Sequence, residues 1–173
     1  MKQETLNSMK ERRSVRAYKS EQIKDEELNA VLESGVYAAS GHGWQSAKLV
    51  VVQDKETRDL LAKLNAEVLG VNSDPFYGAP TIVVVFADKT RTTYVEDGAL
   101  AIGNMMLGAY AVGLGSCWIH RAKEVFSGAK GTELMKKWGV SENYVGIGHC
   151  ALGYAANPLP APAPRKPENI VRV

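Results

Sequence analysis

Between Asp25 and Ala39 apolar residues fall at helical spacing, at Leu28, Val31, Leu32 and Val36, behind an acidic start of Asp25, Glu26 and Glu27 that suits the positive end of a helix. A helix is predicted there, stopped by Ser40-Gly41-His42-Gly43. Lys48 to Gln53 reads as a compact Val-rich strand, after which Asp54 can cap a helix through about Leu69 with Leu60, Leu61, Leu64 and Val68 on one face. Asn72 to Gly78 follows as a loop. Thr81 to Ala87 is a second strand, apolar on both faces, and such a strand belongs in the interior of a sheet covered on both sides. The pattern predicts a core layered α/β/α.

Val95 to Leu114 is apolar nearly all round, with small residues and few charges after Asp97, which is the pattern of a buried helix. Its glycines and Asn104 interrupt it too often for a membrane span, so it is either a central core helix or an interface helix. Gly115 to His120, a short charged helical region to Trp138 and a strand from Tyr144 to Tyr154 complete the body. From Asn157 to Pro167 repeated prolines favour an extended, polyproline-like path. This stretch is either a disordered linker or an arm whose end, Asn169-Ile170-Val171-Arg172-Val173, docks on another surface. The whole chain, 1–173, reads as a single domain with 157–173 as that arm.

Composition narrows the classes. A chain of 173 residues, 45% hydrophobic and 23% charged, is an ordinary soluble domain with length for one good core. A net charge of +2 is too small for a nucleic-acid surface, and the main arginine cluster has only Tyr18 as an aromatic neighbour, so no nucleic-acid partner is expected. The polar N-terminus lacks an apolar signal region and the apolar runs are shorter than a bilayer; no membrane partner is expected and the compartment is read as cytoplasmic. Cys117 and Cys150 have no metal-knuckle or CxxC spacing and read as small buried apolar residues, so no metal is expected.

Candidate chemistry begins at Lys10 to Ser20, where Arg12, Arg13, Ser14 and Arg16 crowd a helix-to-extended junction. Arginine suits bidentate recognition of phosphate, and a serine hydroxyl or backbone N–H can satisfy a further oxygen. The competing reading is a solvated basic face. Arg165 and Lys166 are two more cations that a stretched arm could bring to the same phosphate. Gly146-Ile147-Gly148-His149-Cys150-Ala151 matches GxGxxA, but no helix and second strand follow it, so its glycines read as close packing in a core strand.

Taken in order, Arg12 to Tyr18, Ala39 to Gln45, Gly78-Ala79-Pro80, Asp97-Gly98-Ala99 with Asn104 to Leu107, Gly113 to Ile119, and Pro164-Arg165-Lys166 resemble the nitroreductase family of flavin enzymes over nearly the whole chain. The resemblance implies an α+β sandwich, an intertwined homodimer and one FMN at each end of the subunit interface. It implies a phosphate-binding start at Arg12, Ser14 and Arg16 with Arg13 beside them, and a closing basic pair at Arg165 and Lys166. It assigns Ser40, Gly41, Gly43 and Gln45 to a loop that approaches the flavin from the second subunit. Trp118, Ile119, His120 and Arg121 match the segment whose backbone lies against the ring near N5, and Asn72 falls at a polar contact to the ring.

The chain departs from the family pattern in that second-subunit loop, which there reads Ser, two residues, Asn, one residue, Gln, then Pro-Trp. Here Gly43 stands at the Asn position and Ser46-Ala47 replaces Pro-Trp. Trp44 either covers the flavin or lines the acceptor pocket, since a rigid aromatic can stack on a planar ring, or it packs at the dimer interface. His42 joins Trp44 as a substrate-side candidate, and His149, in a predicted strand, reads as structural. No catalytic acid or base is required, because the flavin carries the chemistry at N5. The implied activity passes electrons from NADH or NADPH to a small nitroaromatic or quinone-type acceptor. The alternative is an FMN-binding protein of the same fold with little reductase activity: a flavin carrier, a sensor, or a branch that acts on flavin itself or on a halogenated substrate.

Overall fold

The run that is apolar on both faces becomes the centre of the sheet. The computed structural model describes residues 2–173 and contains four strands, β1 (Ala47–Val52), β2 (Thr81–Asp88), β3 (Gly115–Ile119) and β4 (Tyr144–Gly153). Among the described residues six α-helices accompany them: α1 (Lys2–Glu11), α2 (Asp25–Val36), α3 (Lys55–Leu69), α4 (Tyr94–Ala111), α5 (Ala122–Ser127) and α6 (Ala129–Lys137). The sheet order is β1-β2-β4-β3 and every pair is antiparallel. None of the described helices is long and apolar enough to cross a membrane.

Side chains alternate across a strand, so β2 serves two cores at once. Val83 and Val85 pack with Leu28 and Val31 of α2 and Ala101, Ile102 and Met105 of α4, while Ile82, Val84 and Phe86 pack with Leu61 of α3, Val125 and Phe126 of α5 and Leu134 of α6. The expected α/β/α layering is therefore present, within an α+β fold. Burying each such Val, Ile, Leu or Phe side chain stabilises the fold by about 1.5–3 kcal/mol. Asn104, an apparent interruption of α4, clamps α2: its Nδ2 donates to the Ser34 carbonyl at 3.1 Å while Ser34 Oγ donates to the Asn104 carbonyl at 3.2 Å.

Where β4 pairs β2, Val85 stands opposite Gly148 and Phe86 opposite Gly146, leaving Ile147 as the extra residue of a bulge. Ile147 presses on the first turn of α4, where a Cβ at Gly98 would come within 2.6 Å of its Cγ1. The GxGxxA stretch lies wholly inside β4, and a Cβ at Gly148 would meet the Trp118 indole at 2.9 Å, so these glycines permit close packing.

Some element ends shift from expectation. Asp54 caps α3 as predicted, its carboxylate accepting from Thr57 N–H at 2.8 Å. The buried stripe of α3, however, is Leu61, Ala62 and Asn65; Glu67 to Gly70 overhang the core, leaving Val68 40% exposed. Helix α2 stops at Val36, short of Ala39, and Val36 is 62% exposed because this last turn also runs past the packed layer. Helix α4 ends at Ala111, since Gly113 turns the chain at φ 82° and Leu114 already leads into β3.

The N-terminal junction is as expected: α1 ends at Glu11 and the chain runs on extended. It lies parallel to the open edge of β3, with Ser14 bridging Ser116 and Val15 N–H donating to the Ser116 carbonyl at 2.9 Å. It then clasps the chain leaving β4, through Lys19 N–H to the Tyr154 carbonyl at 2.9 Å and Ala156 N–H to the Ala17 carbonyl at 3.0 Å.

Candidate functional site

The edge position of residues 12–19 gathers three of the four N-terminal candidates. Ser14 and Val15 lie against Ser116 at this edge, with Arg12 and Arg16 flanking them; burial pushes the Cys117 thiol pKa up, while Arg16, Ser14 and Arg12 pull the other way. Arg12 Nη1 is buried and has no hydrogen-bond partner. Leaving a buried donor unsatisfied costs about 1–3 kcal/mol, more when it is charged, and an oxyanion is the acceptor that removes the penalty. Arg13 turns the other way: its Nη1 donates to the carbonyls of Lys10 at 2.7 Å and Arg12 at 2.6 Å, closing the C-terminal end of α1. Ser14, Val15, Arg16 and Ala17 then face Asn157 to Pro160 across a cleft of about 280 Å³.

Trp118 to Arg121 continues from β3 and is held from three sides. The His120 carbonyl accepts from Asn65 Nδ2 at 2.9 Å, and His149 Nδ1 lies 3.4 Å from the Ile119 carbonyl. Arg121 takes a left-handed φ of 78° at the start of α5 and its Nη1 pairs with Glu124 Oε1 at 3.0 Å. His149 itself is fully buried between Phe76 and Phe126, at ring separations of 5.2 and 6.1 Å, and burial pushes its pKa down to about 4. It is therefore neutral near pH 7 and structural in position, as its strand setting suggested, with Nε2 left without a partner.

The loop from Ser40 to Gln45 is a compact turn. His42, Gly43 and Gln45 all have positive φ, at 52°, 67° and 49°. A non-glycine residue held there costs on the order of 1–3 kcal/mol, so the surroundings must enforce the shape. Buried Asp97 does so: its Oδ1 accepts from Gly41 N–H at 2.9 Å and its Oδ2 from Ser46 Oγ at 2.6 Å. Burial opposes its ionisation, but these donors outweigh that and hold its pKa below the usual carboxylate range. Trp44 is 38% exposed, its ring 4.7 Å from His42 and 5.2 Å from the Arg91 guanidinium.

Within one chain these groups form separate clusters. The cationic segment and Trp118 to Arg121 share the β3 edge. Asn72 lies apart, lining a cleft of about 440 Å³ with Lys63, Ala66 and Glu67. Arg165 and Lys166 are exposed and, among the described residues, form no hydrogen bond or ion pair through their side chains. Two positioning residues are given no role by the sequence: Asn65 belongs to no motif, and Asp97 stands in one without a function. Asn65 interrupts the apolar stripe of α3, and Asp97 is an acid in the first turn of a helix otherwise nearly free of charge; a polar group on a buried face was the available signal in both.

Comparison with known proteins bears on this arrangement. The sequence profile described as the nitroreductase family matches residues 9–75 and 67–154. A protein of Archaeoglobus fulgidus named as an NADH dehydrogenase/NAD(P)H nitroreductase is 30% identical over 159 residues, covering 88% of this chain and 86% of its own. An NADPH-flavin oxidoreductase of Vibrio harveyi is 26% identical over 96% of this chain and 72% of its own. Among solved structures, a nitroreductase with bound FMN from Bacteroides fragilis superposes with a TM-score of 0.90 at 31% identity, over 98% of each chain. A second FMN-bound nitroreductase, from Desulfitobacterium hafniense, gives 0.87 at 28% identity, again over 98% of each. With the profile spanning the cationic edge, the pinned loop and the strand beneath them, the chain belongs to the nitroreductase family.

Proposed function

We propose that the protein is an FMN-dependent oxidoreductase that takes electrons from NADH or NADPH and gives them to small nitroaromatic or quinone-type acceptors. The observation that carries this reading is the buried Arg12 Nη1 without an acceptor, beside Ser14 and Arg16 on the edge of β3. The residues present fit the phosphate end of FMN: two guanidinium groups, one of them with a buried, unpartnered Nη1, and a hydroxyl. FMN, when bound, supplies the two-electron chemistry between the nicotinamide and the acceptor. The chain binds, orients and shields. Arg12, Ser14 and Arg16 hold the phosphate, and the segment Trp118 to Arg121 offers a backbone fixed by Asn65 and the β3 pairing. A preorganised backbone needs no rearrangement as charge develops near it.

The same reading makes the protein a cytoplasmic homodimer. Val36, Tyr37, Trp44, Val95 and Leu100 are exposed on α2, α4 and the loop after α2, apolar side chains that a subunit interface would cover. A second copy would cover these residues, bring Ser40, Gly41, Gly43 and Gln45 to the cofactor and give Arg165 and Lys166 a phosphate to close on. A second reading, an FMN-binding protein with little reductase activity, draws on Trp44, whose ring lies against His42 and Arg91, next to Gly43 where the family pattern has Asn.

Absorption spectroscopy separates them. The protein is mixed with FMN and then with NADH or NADPH under anaerobic conditions. Bleaching of bound flavin, reversed by a nitroaromatic or quinone, is the expected result. Flavin that binds but stays oxidised favours the second reading, and absence of FMN binding overturns both.

A further inference from the structure

Asp97 is a side chain of α4 that hydrogen-bonds both ends of the loop between α2 and β1. Its two carboxylate oxygens reach opposite ends of that loop, Gly41 N–H at one end and Ser46 Oγ at the other, across 56 and 51 residues of sequence. Between them the loop closes on itself. Gly43 N–H donates to the Ser40 carbonyl at 3.1 Å, Trp44 N–H to the Gly41 carbonyl at 3.0 Å, and Gln45 N–H to Ser40 Oγ at 3.0 Å. Gly41 sits so close to α4 that a Cβ there would lie 2.2 Å from Thr93 Oγ1. The turn of α4 that carries Asp97 is itself fixed, by Ile147 of the bulge against Gly98 and by Asp97 N–H to the Thr93 carbonyl at 2.9 Å. The contact chain therefore runs from the sheet, through the bulge, to α4, to Asp97 and to the loop.

A carboxylate is needed at this point. Both oxygens must accept, one from a backbone amide and one from a hydroxyl, and an amide side chain of the same shape offers only one acceptor and turns a second N–H toward a donor. Among the described residues no hydrogen bond or ion pair joins the cationic segment to this loop, and on the homodimeric reading the loop meets the cofactor held by the second copy. We infer that Asp97 is a positioning residue that acts across the subunit boundary, fixing residues 40–46 in the form in which they meet the FMN held by the arginine cluster of a second copy. This rests on the homodimeric FMN-binding reading given above.

Mixed dimers test it. Asp97→Asn is made in one chain and Arg12→Ala with Arg16→Ala in the other, and differently tagged chains are co-expressed and purified as the heterodimer. The Asp97→Asn homodimer should remain a dimer by sedimentation, exchange amide hydrogens of 41–46 faster than the unsubstituted protein, and bind FMN about 10–100-fold more weakly by flavin fluorescence quenching. The doubly substituted arginine homodimer should bind no FMN at these concentrations. The heterodimer should bind one FMN per dimer at nearly the unsubstituted affinity, because one of its two sites joins an intact arginine cluster to an intact loop. If Asp97 acts within its own subunit, the heterodimer has no intact site and only weak binding appears, which overturns the inference. Unchanged exchange and unchanged FMN affinity in the Asp97→Asn homodimer overturn it as well. Should that variant fail to fold, Ser46→Ala removes a single bond to the same carboxylate and enters the same heterodimer with the same two outcomes. An unsubstituted protein that is monomeric or binds no FMN refutes the underlying reading instead, and is recognised before any variant is made.

Discussion

The segment Arg12 to Tyr18 and the arm at 157–173 are both extended and both basic, yet they are held very differently. The first is tied to β3 and to the exit of β4 by main-chain hydrogen bonds, and it buries Val15 in doing so. The second is exposed from Asn157 onward, and its main-chain bonds beyond Ala156 are two within one short turn, Asn169 to Lys166 and Ile170 to Pro167. Ordering a charged side chain costs conformational entropy. The pinned segment met the main-chain part of that cost at folding, so on the proposed reading its arginines would meet a phosphate from a backbone already placed. Whatever orders the arm must supply the cost on binding.

That contrast can be broken most severely by Arg12→Ala with Arg16→Ala. Two charge-assisted hydrogen-bond sets at about 1.5–3 kcal/mol each predict a loss of at least ~100-fold in FMN affinity. Titration by fluorescence quenching measures it, and a loss under tenfold would mean that the pinned segment is not the anchor. Acid should act next, on the sheet to which the pinned segment is tied. His149 is neutral in the fold with a pKa pushed down to about 4 by burial, against an ordinary value of 6.5, so between those values the unfolded chain takes up a proton that the native chain refuses. Stability contributed by this group is complete above pH 6.5 and falls on acidification, by about 3 kcal/mol at pH 4. Urea unfolding at pH 7.5 and pH 4 should show that difference shrink by this amount in His149→Phe and remain intact when residues 157–173 are deleted.

Smaller effects test the arm and the neighbouring arginine. Arg165→Ala with Lys166→Ala should weaken FMN binding about tenfold, roughly 1.4 kcal/mol, with thermal stability of the FMN-free protein unchanged. A drop in that stability would show that the arm is packed before ligand arrives. Arg13→Ala should change FMN affinity less than about threefold while costing on the order of 1 kcal/mol of stability, since its guanidinium serves the end of α1. Differential scanning calorimetry beside the same titration reads both numbers.

What could be read from the sequence was what neighbouring residues decide together. The continuous apolar run at 81–87 announced a strand with two buried faces, and Asp54 announced the start of α3 through its own side chain. Partners distant in the chain were not legible. Nothing local says that Asp97 reaches Gly41, or that Asn65 turns inward to the His120 carbonyl. Val36 and Val68 fit the helical stripe and still face outward, because a stripe gives the direction of a side chain and not how far the neighbouring layer extends. Arg13 shares its charge with Arg12 and differs only in where the end of α1 leaves it.

The attachment of residues 12–15 to β3 has a consequence for solubility. β3 is the last strand of the sheet, and an uncovered strand edge is a template for pairing with other chains. Ser14 and Val15 occupy part of that edge, and the flanking arginines place positive charge where an incoming strand would have to lie. Removing the first fifteen residues would therefore do more than empty the proposed phosphate site: it would open a sticky margin, and aggregation during refolding would be its first symptom.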